Sequence, residues 1–365
     1  MVRMIRLAIV GIGNCASSLV QGIHYCRDKG ADAVGVLFPT LGGYVPGDVE
    51  VVAAFDVDGR KVGRPLSEAI FAPPNNTARF HPDVPDNGTA VSAGAVLDGV
   101  SGLMRNAPAA RGFTQIDGDG ASADEVVAVL KAARAEVLIS FLPVGSEQAS
   151  AFYAQCALEA GVALVNGMPV FLASDGPWAA RFAAAGLPII GDDFKAQIGA
   201  TIVHRALAHL FAIRGAEIGR SYQLNVGGNS DFLNMMDMNR LASKRLSKTE
   251  AVQSAVRTRL PDDDVRIGPS DYVPWLDDRK VAYIRIEGSN FGGVPLDLEA
   301  RLSVEDSPNA AAMALAAIRC ARIALDRGVA GAVPDVCAFL FKHPPRQMDD
   351  EVALARLVAF ADGSS

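Results

Sequence analysis

The sequence has few cysteines to cross-link the chain and no long apolar run to anchor it in a membrane. Its five cysteines among 365 residues are scattered and odd in number, which favours neither a disulfide framework nor a structural zinc site. Acidic residues outnumber basic ones by 41 to 34, so no broad basic face is expected for nucleic acid. The apolar run at residues 7–10 is far too short for a signal peptide or a membrane span. We therefore expect a cytoplasmic protein with neither nucleic acid nor a membrane as partner.

Histidine is equally scarce, and its five copies form no recognisable catalytic or metal-binding pattern. His204 and His209 are five positions apart and lie on different faces of a helix, which disfavours a two-histidine metal site. The other histidines form no hydrolase signature with a serine or a cysteine. Hydrolase chemistry is therefore disfavoured. Half of the residues are apolar, which is enough for a large buried core.

Short apolar runs alternate with helical patterns over the first 199 residues. The run at 5–10 precedes a glycine turn and helical spacing at 16–25, which predicts strand, turn and helix. A second strand at 49–55 comes late because residues 27–48 are rich in Gly, Pro and Asp and predict a surface insertion. Further strands are predicted at 137–141, 163–166 and 188–190, and helices at 123–134, 146–160 and 178–185. This alternation predicts a Rossmann-type, doubly wound parallel sheet of the α/β class.

After residue 200 the pattern changes to that of a second, α+β domain. Helical spacing covers 200–211, and alternating polar and apolar residues predict strands at 281–286 and 296–304 in a mostly antiparallel sheet. Gly268-Pro269-Ser270-Asp271 predicts a loop that interrupts the strands. An alanine-rich helix at 308–327 has few outward charges, so we expect it to pack between other elements.

The segment that follows the first strand matches a dinucleotide-binding turn. In Gly11-Ile12-Gly13-Asn14-Cys15-Ala16, Ala16 stands where the fingerprint has a third glycine. Gly11 permits the tight turn, and Gly13 lets the backbone approach a pyrophosphate that the helix N-terminus attracts. Asn14, Ser17 and Ser18 add hydrogen-bond donors. The alternative is a glycine turn that packs without a ligand.

Asp56, at the end of the second strand, is placed where this fold carries the acid that binds the adenosine ribose. An acid there prefers the free hydroxyl of NAD to the phosphate of NADP. Arg60 and Lys61 weaken this preference, and Asp56 could instead be only a turn residue. We predict NAD.

Lysines recur in three separate polar segments. Gly191-Asp192-Asp193-Phe194-Lys195 follows a predicted parallel strand, at the edge where such sheets bind ligands. Lys244 and Lys248 lie four apart on a predicted helix, and Lys280 follows Asp277-Asp278-Arg279. Each lysine alone is more often a solvated surface group. If several converge with one dianionic phosphate, repulsion and burial lower the pKa of one amine and make a neutral base available.

Five strings in this order resemble the myo-inositol-1-phosphate synthase family, most closely its short actinobacterial and archaeal form. The likeness spans nearly the whole chain. The strings are Gly11-Ile12-Gly13-Asn14-Cys15-Ala16-Ser17-Ser18-Leu19, Leu142-Pro143-Val144-Gly145-Ser146, Gly191-Asp192-Asp193-Phe194-Lys195, Asn225-Val226-Gly227-Gly228-Asn229 and residues 270–280. The resemblance implies an isomerising cyclase that converts D-glucose 6-phosphate to 1L-myo-inositol 1-phosphate. It implies NAD-dependent oxidation at C5, enolisation, intramolecular aldol closure onto C1 and re-reduction, with NAD retained and recycled.

The resemblance also implies roles for particular residues. Lys280 and Lys195 are expected to transfer protons and stabilise oxyanions, Lys244 and Lys248 to bind the phosphate or an oxygen, and Asp278 and Asp193 to orient lysines. Substrate contacts are expected from Asn225, Gly228, Asn229, Lys244 and Lys280. Cofactor contacts are expected from Gly11, Gly13, Asn14, Ala16, Ser17, Asp56, Pro143, Tyr153, Asp192, Ala196 and Asp231. Gly199, Ala200 and Thr201 stand where eukaryotic members carry a further lysine, so the catalytic set is expected to be smaller or partly replaced.

We therefore predict three parts, a cofactor and an assembly. Residues 1–199 form an NAD-binding Rossmann-like domain, 200–307 a catalytic and tetramerisation domain, and 308–365 a segment that returns to the NAD-binding domain. The partners expected are a sugar phosphate and three further copies of the chain, in a homotetramer. A divalent or monovalent cation is a further candidate cofactor. The alternatives are a relative that cyclises another sugar phosphate such as fructose 6-phosphate, a dehydrogenase that releases NADH, and a catalytically silent NAD-binding protein.

Overall fold

The computed structural model describes residues 4–237, 240 and 242–364, with the backbone alone at 242–245. These residues form two sheets and twelve α-helices. In chain order the strands are β1 (Ile5–Val10), β2 (Val49–Asp56), β3 (Val91–Ala93), β4 (Val137–Ser140), β5 (Ala163–Asn166), β6 (Pro188–Ile190), β7 (Glu217–Gly227), β8 (Val265–Tyr272), β9 (Arg279–Ser289), β10 (Pro295–Glu305) and β11 (Gly331–Ala332). The helices are α1 (Asn14–Lys29), α2 (Leu66–Ala69), α3 (Gly102–Asn106), α4 (Ala123–Ala132), α5 (Glu147–Ala160), α6 (Gly176–Ala184), α7 (Ala200–Arg214), α8 (Ser230–Asn234), α9 (Ala242–Gln253), α10 (Asp306–Asp326), α11 (Pro334–Leu340) and α12 (Asp350–Asp362).

The first sheet is parallel throughout and has the order β11-β6-β5-β4-β1-β2-β3. Alternate residues of β1 enter two different cores. Leu7 and Ile9 join the cluster that includes α1 and α10, whereas Ala8 and Val10 join the cluster that includes α4 and α5. Because both faces of the sheet are covered by helices, its strands consist of continuous apolar runs. The predicted α/β class and doubly wound sheet are confirmed.

The second sheet has four strands in the order β10-β9-β7-β8. β9 pairs antiparallel with both β7 and β10, while β8 runs parallel to β7. Helix α7 packs against one face of this sheet. The sheet is therefore mostly antiparallel, as predicted.

Helix α10 and the residues after it pack on the first sheet. Most of α10 is buried, and it lies against α1 and strands β4, β5 and β6. β11 then adds a strand beside β6. The Arg319 guanidinium, almost fully buried, donates to the carbonyl of Phe38 at 2.7 Å and fixes the insertion at 27–48 onto α10. None of the described helices combines the length and the apolar character that a membrane span requires.

The loop predicted at Gly268–Asp271 is wrong, because these residues belong to β8. Pro269 suggested a break in the strand. β8 lies at the edge of its sheet, however, and there a proline's missing N–H costs no ladder hydrogen bond. The pairing of β7 with β8 shifts register beside Asn225, opposite this proline.

Candidate active site

One cavity lies at the carboxyl ends of the parallel strands and extends to the second sheet. Gly11 after β1, Asp56 at the end of β2 and Phe141 after β4 contribute to its wall, together with Asn225 of β7 and Lys280 of β9. Open α/β sheets bind ligands at this edge. The predicted site residues that line the cavity are Gly11, Gly13, Asn14, Asp56, Pro143, Tyr153, Asp193, Ala196, Asn225, Asn229, Asp231, Lys248 and Lys280.

The turn between β1 and α1 leaves room for an anion at the start of the helix. Gly11 has φ +86°, and a Cβ there would lie 2.6 Å from the carbonyl oxygen of Phe141. A Cβ on Gly13 would meet no atom within 4 Å, so open space lies above this residue. Gly13 caps α1 without any side-chain hydrogen bond. The first N–H groups of α1 are thus available to a pyrophosphate.

Asp56 supports this turn from the end of β2. Its carboxylate accepts hydrogen bonds from the backbone N–H of Ile12 at 2.7 Å, Val57 at 2.7 Å and Asp58 at 2.9 Å. Lys61 Nζ lies 3.9 Å from Asp56 Oδ2 and donates to the Ile12 carbonyl at 2.7 Å. Burial lowers the pKa of Lys61. Asp56 therefore braces the phosphate turn as well as facing the cavity.

Lysines and carboxylates meet at another part of the cavity wall. Lys280 of β9 forms an ion pair with Asp306, the first residue of α10. Lys342, just after α11, donates from Nζ to Asp193 Oδ1 at 2.7 Å. The other oxygen of Asp193 accepts from Ser247 of α9 at 2.6 Å, next to cavity-lining Lys248. The fold thus brings lysines from β9, α9 and the chain after α11 into the lining of one cavity, which Lys61 also lines.

Asp278 connects Asn14, at the start of α1, with Asn229, which caps α8. Its Oδ1 accepts from Asn14 Nδ2 at 3.2 Å, Asn229 Nδ2 at 2.9 Å and Ser307 Oγ at 2.9 Å. Burial raises the pKa of Asp278 to about 6, and nearby Asp306 adds to the shift. These hydrogen bonds orient two asparagines, whereas the expectation was that Asp278 orients lysines.

Two side-chain amides face the cavity in a fixed orientation. Asn225 Nδ2 donates to the Gly268 carbonyl at 2.9 Å, so its Oδ1 is left to accept from Gln223 Nε2 at 3.1 Å. Behind them, buried His204 lies 3.3 Å from Gln223 Oε1 and 2.8 Å from Ser221 Oγ, and burial lowers the pKa of His204 to about 4. Each amide nitrogen keeps a second N–H for a ligand oxygen.

Comparison with known proteins gives a consistent result. Residues 199–307 match the family model described as myo-inositol-1-phosphate synthase. The chain is 52% identical to inositol-3-phosphate synthase of Mycolicibacterium smegmatis and 51% identical to that of Corynebacterium glutamicum, with 98% of each chain covered in both cases. The chain belongs to the myo-inositol-1-phosphate synthase family. A crystal structure of a myo-inositol-1-phosphate synthase-related protein from Thermotoga maritima is similar across 98% of both chains, with a TM-score of 0.83 and 25% identity.

The residues of this family member fit an NAD molecule. The open space at Gly13 and the uncapped start of α1 suit a pyrophosphate, and Asp56 lines the adjoining wall. Both basic residues that weakened the preference for NAD are engaged elsewhere. Arg60 Nε donates to Asp58 at 2.9 Å, and Lys61 is held by the Ile12 carbonyl. Arg60 does not line the cavity, whereas Lys61 does, beside Asp56.

Several predicted residues lie outside the cavity lining because the protein itself engages them. Ala16 and Ser17 are buried in α1. Asp192 accepts the backbone N–H of Leu172 at 2.9 Å and of Ser174 at 3.0 Å, and burial raises its pKa to about 6. A Cβ on Gly228 would lie 2.5 Å from the Val273 carbonyl oxygen, so this glycine permits close backbone packing.

Lys195 also lies outside the lining and reaches the C-terminal helices. Its Nζ donates to the Ala338 carbonyl at 2.7 Å and to Asp350 Oδ1 at 3.0 Å. Burial lowers the pKa of Lys195 to about 8, although Asp350 opposes the shift. The same carboxylate accepts from Arg205 Nε at 3.1 Å. This geometry gives Lys195 a structural contact, whereas the expectation was proton transfer.

The side chain of Lys244 lies outside the described residues, so its predicted contacts with the phosphate stay a prediction. Lys342, Asp306 and Gln223 are cavity residues that the sequence analysis missed. Lys342 directly follows a short buried apolar segment, and that is the sole local signal it offers. Its partner Asp193 is 149 positions away, which no local pattern reveals.

Proposed function

We propose that this chain isomerises D-glucose 6-phosphate to 1L-myo-inositol 1-phosphate in an NAD-dependent cyclisation. The observation that carries the proposal is that Lys248, Lys280 and Lys342 all line one cavity, which the glycine turn after β1 also lines. A dehydrogenase needs one acid–base group beside its cofactor. A cyclase must in addition bind a dianionic phosphate and stabilise an enolate, for which several cations are suited.

The phosphate turn, the start of α1 and Asp56 would hold NAD. Bound there, NAD would supply reversible hydride transfer, so the overall reaction would involve no net oxidation. The protein's part is to keep the pyrophosphate on the uncapped N–H groups of α1 and the ribose at the Asp56 carboxylate.

We assign the proton transfers to lysines that carboxylates hold in place. Lys280 Nζ, paired with Asp306, is assigned the proton exchange with a substrate oxygen or carbon, and the ion pair in the cavity lining supports this role. Lys342 Nζ, fixed by Asp193, takes the oxyanion-stabilising role expected of Lys195. Lys248 binds the substrate phosphate, and the spare N–H groups of Gln223 and Asn225 donate to sugar oxygens.

A product analysis with the purified chain tests this function. Incubation with glucose 6-phosphate and a catalytic amount of NAD should give inositol 1-phosphate, identified by phosphorus and proton NMR, without accumulation of NADH. Growth of NADH absorbance with turnover would instead indicate a dehydrogenase. A cyclic product from fructose 6-phosphate alone would indicate a relative with another substrate. A folded protein that binds NAD and converts neither sugar would be catalytically silent.

We further propose that the second sheet assembles the chain into a homotetramer. β10 is an edge strand of eleven residues. On the face away from α7, Leu224 and Tyr283 are cross-strand partners, and both side chains are more than a third exposed. A long edge strand and an exposed apolar pair suit contact with another subunit.

A cation is the remaining candidate cofactor. The described residues contain no group of three or more His, Cys, Asp or Glu side chains arranged to hold a metal ion. We therefore propose that any cation used by the reaction also takes oxygens from the bound phosphates.

A further inference from the structure

Arg240 bridges two wall segments of the cavity. Its Nε donates to the Val144 carbonyl at 2.9 Å, and its Nη2 donates to the Asp98 carbonyl at 2.7 Å. Asp98 lies between cavity-lining Leu97 and Gly99, and Val144 directly follows cavity-lining Pro143. One planar guanidinium therefore connects two loops that are 46 residues apart in sequence.

Both attachment points are themselves anchored. The Asp98 carboxylate accepts the backbone N–H of Gln148 at 2.8 Å and of Ala149 at 2.9 Å in the first turn of α5. The Val144 carbonyl accepts a second hydrogen bond, from Asn234 Nδ2 at 2.8 Å. The Val144 side chain packs with Phe232 and Met235 in a small buried cluster. A shift of the Arg240 side chain would therefore displace both wall loops and disturb their contacts with α5 and α8.

Gly145 makes room for this bridge. It has φ +82°, and a Cβ there would lie 2.8 Å from Arg240 Cβ and 2.9 Å from Arg240 Nε. The guanidinium stem consequently lies directly against the glycine. The loop glycine in Leu142-Pro143-Val144-Gly145-Ser146 thus serves the approach of Arg240 in addition to the turn itself.

We propose that Arg240 is a positioning residue that clasps two walls of the dinucleotide cavity and determines how long NAD stays bound. The proposal rests on the proposed function, in which NAD must remain bound through a whole cycle. The two hydrogen bonds of Arg240 hold the loops at Asp98 and Val144 in place before NAD binds. NAD binding therefore does not have to order these loops. Without the clasp, the binding-competent arrangement is less populated and the bound state loses stability.

The experiment compares NADH release from the unsubstituted chain and from Arg240→Ala. Bound NADH is displaced by excess NAD, and its fluorescence gives the dissociation rate constant directly. Loss of two hydrogen bonds from a charged donor should raise this constant about tenfold and reduce the NAD-induced rise in Tm.

Arg27→Ala is the matched control. Arg27 also bridges two carbonyls, donating from Nε to Gly47 at 2.8 Å and from Nη2 to Val49 at 2.6 Å, but neither carbonyl lies next to a cavity-lining residue. Its loss should leave the NADH dissociation rate unchanged. If Arg240→Ala fails to fold, Arg240→Lys carries the test, because one amine can still reach one carbonyl and should raise the rate by about threefold.

The outcomes separate the clasp from the proposed function. If the unsubstituted chain does not bind NADH, the proposed function and the clasp both fail. If it binds NADH but Arg240→Ala releases it at the unsubstituted rate, the clasp alone is overturned. An equal acceleration in Arg27→Ala would also overturn it, since the effect would then come from general destabilisation.

Discussion

Burial and pairing give the lysines of this chain different chemistry. Lys280 and Lys342 each meet a carboxylate at the cavity wall, where a substrate can reach them. Lys195 is only 1% exposed and satisfies its charge with Asp350 and a backbone carbonyl. Lys195 is therefore held in a structural contact, whereas Lys280 and Lys342 remain the lysines proposed for catalysis.

Replacement of Lys280 tests the proton-transfer assignment. In Lys280→Ala the cavity loses the amine held by Asp306, and general acid–base catalysis contributes about 10²–10⁴ to a rate. We expect kcat for inositol phosphate formation to fall by at least about a hundredfold while the affinity for NAD is kept. Product assays and NADH fluorescence titration measure the two quantities.

The neighbouring residue provides the control for this substitution. Arg279 lies on the same strand, is largely exposed and is 4.0 Å from Glu305. Arg279→Ala should retain normal turnover. Unchanged kcat in Lys280→Ala would remove Lys280 from the mechanism.

Lys195→Met should change how stability depends on pH. The pKa of Lys195 is about 8 in the folded chain and near 10.4 when unfolded, so between these values the unfolded state binds more protons. The lysine's contribution is complete above the unfolded pKa and is lost as pH falls through about 8. The free energy of unfolding of the unsubstituted chain should thus rise with pH in this window, relative to Lys195→Met, by up to about 1.4 kcal/mol per pH unit.

Urea unfolding at several pH values between 8 and 10 measures this difference. Lys131 of α4 is exposed, so Lys131→Met should run parallel to the unsubstituted chain over the same range. Parallel curves for Lys195→Met as well would show that burial does not shift the Lys195 titration.

At the scale of elements, the two glycines between β1 and α1 have different duties. A Cβ at Gly11 would collide with the Phe141 carbonyl oxygen, and its positive φ adds strain. A Cβ at Gly13 meets nothing in the protein, but it would enter the space offered to a pyrophosphate. One glycine therefore serves the fold and the other serves the ligand.

We accordingly expect opposite behaviour from the two alanine variants. Gly11→Ala should lower the free energy of unfolding by about 2 kcal/mol or more. Gly13→Ala should unfold like the unsubstituted chain, yet bind NAD at least about tenfold more weakly. Chemical unfolding and NADH titration separate these effects, and tight NAD binding by Gly13→Ala would exclude a pyrophosphate at this turn.

Elements differed in how well the sequence predicted them. The predicted β1, β5 and β6 match the structure residue for residue, and β2 and β4 differ at one end by one residue. These strands are buried on both faces and so consist of clear apolar runs. β3 and β7 carried no such run, and in β8 a proline at a tolerant edge position disguised the strand.

For the whole molecule, the two sheets supply different parts of one cavity. The parallel sheet contributes the phosphate turn, and the second sheet contributes Lys280 and Asn225. Chain segments far apart in sequence close it, since Lys342 comes after β11 and holds Asp193 next to β6. The face of the second sheet that carries Leu224 and Tyr283 is exposed, which suits the proposed subunit contact.

Tyr283→Glu should break the proposed tetramer. Tyr283 is 45% exposed and opposite Leu224, so a charge there would have to be desolvated in a subunit contact. Light scattering after size-exclusion chromatography should give four chain masses for the unsubstituted protein and fewer for the variant. Val34→Glu, at a site 83% exposed in the insertion, should keep the mass. A single chain mass before any substitution would contradict the tetramer.

The sequence by itself determined the parallel sheet, the glycine turn and the family resemblance. Each depends on neighbouring residues, because apolar runs, turn glycines and motif strings are local patterns. Only the tertiary structure decided which carboxylate each lysine contacts. Lys342 reaches Asp193 across 149 positions, and Lys195 turns toward Asp350 across 155. Such pairs depend on how distant elements pack, so the residues next to each lysine in the sequence do not predict its partner.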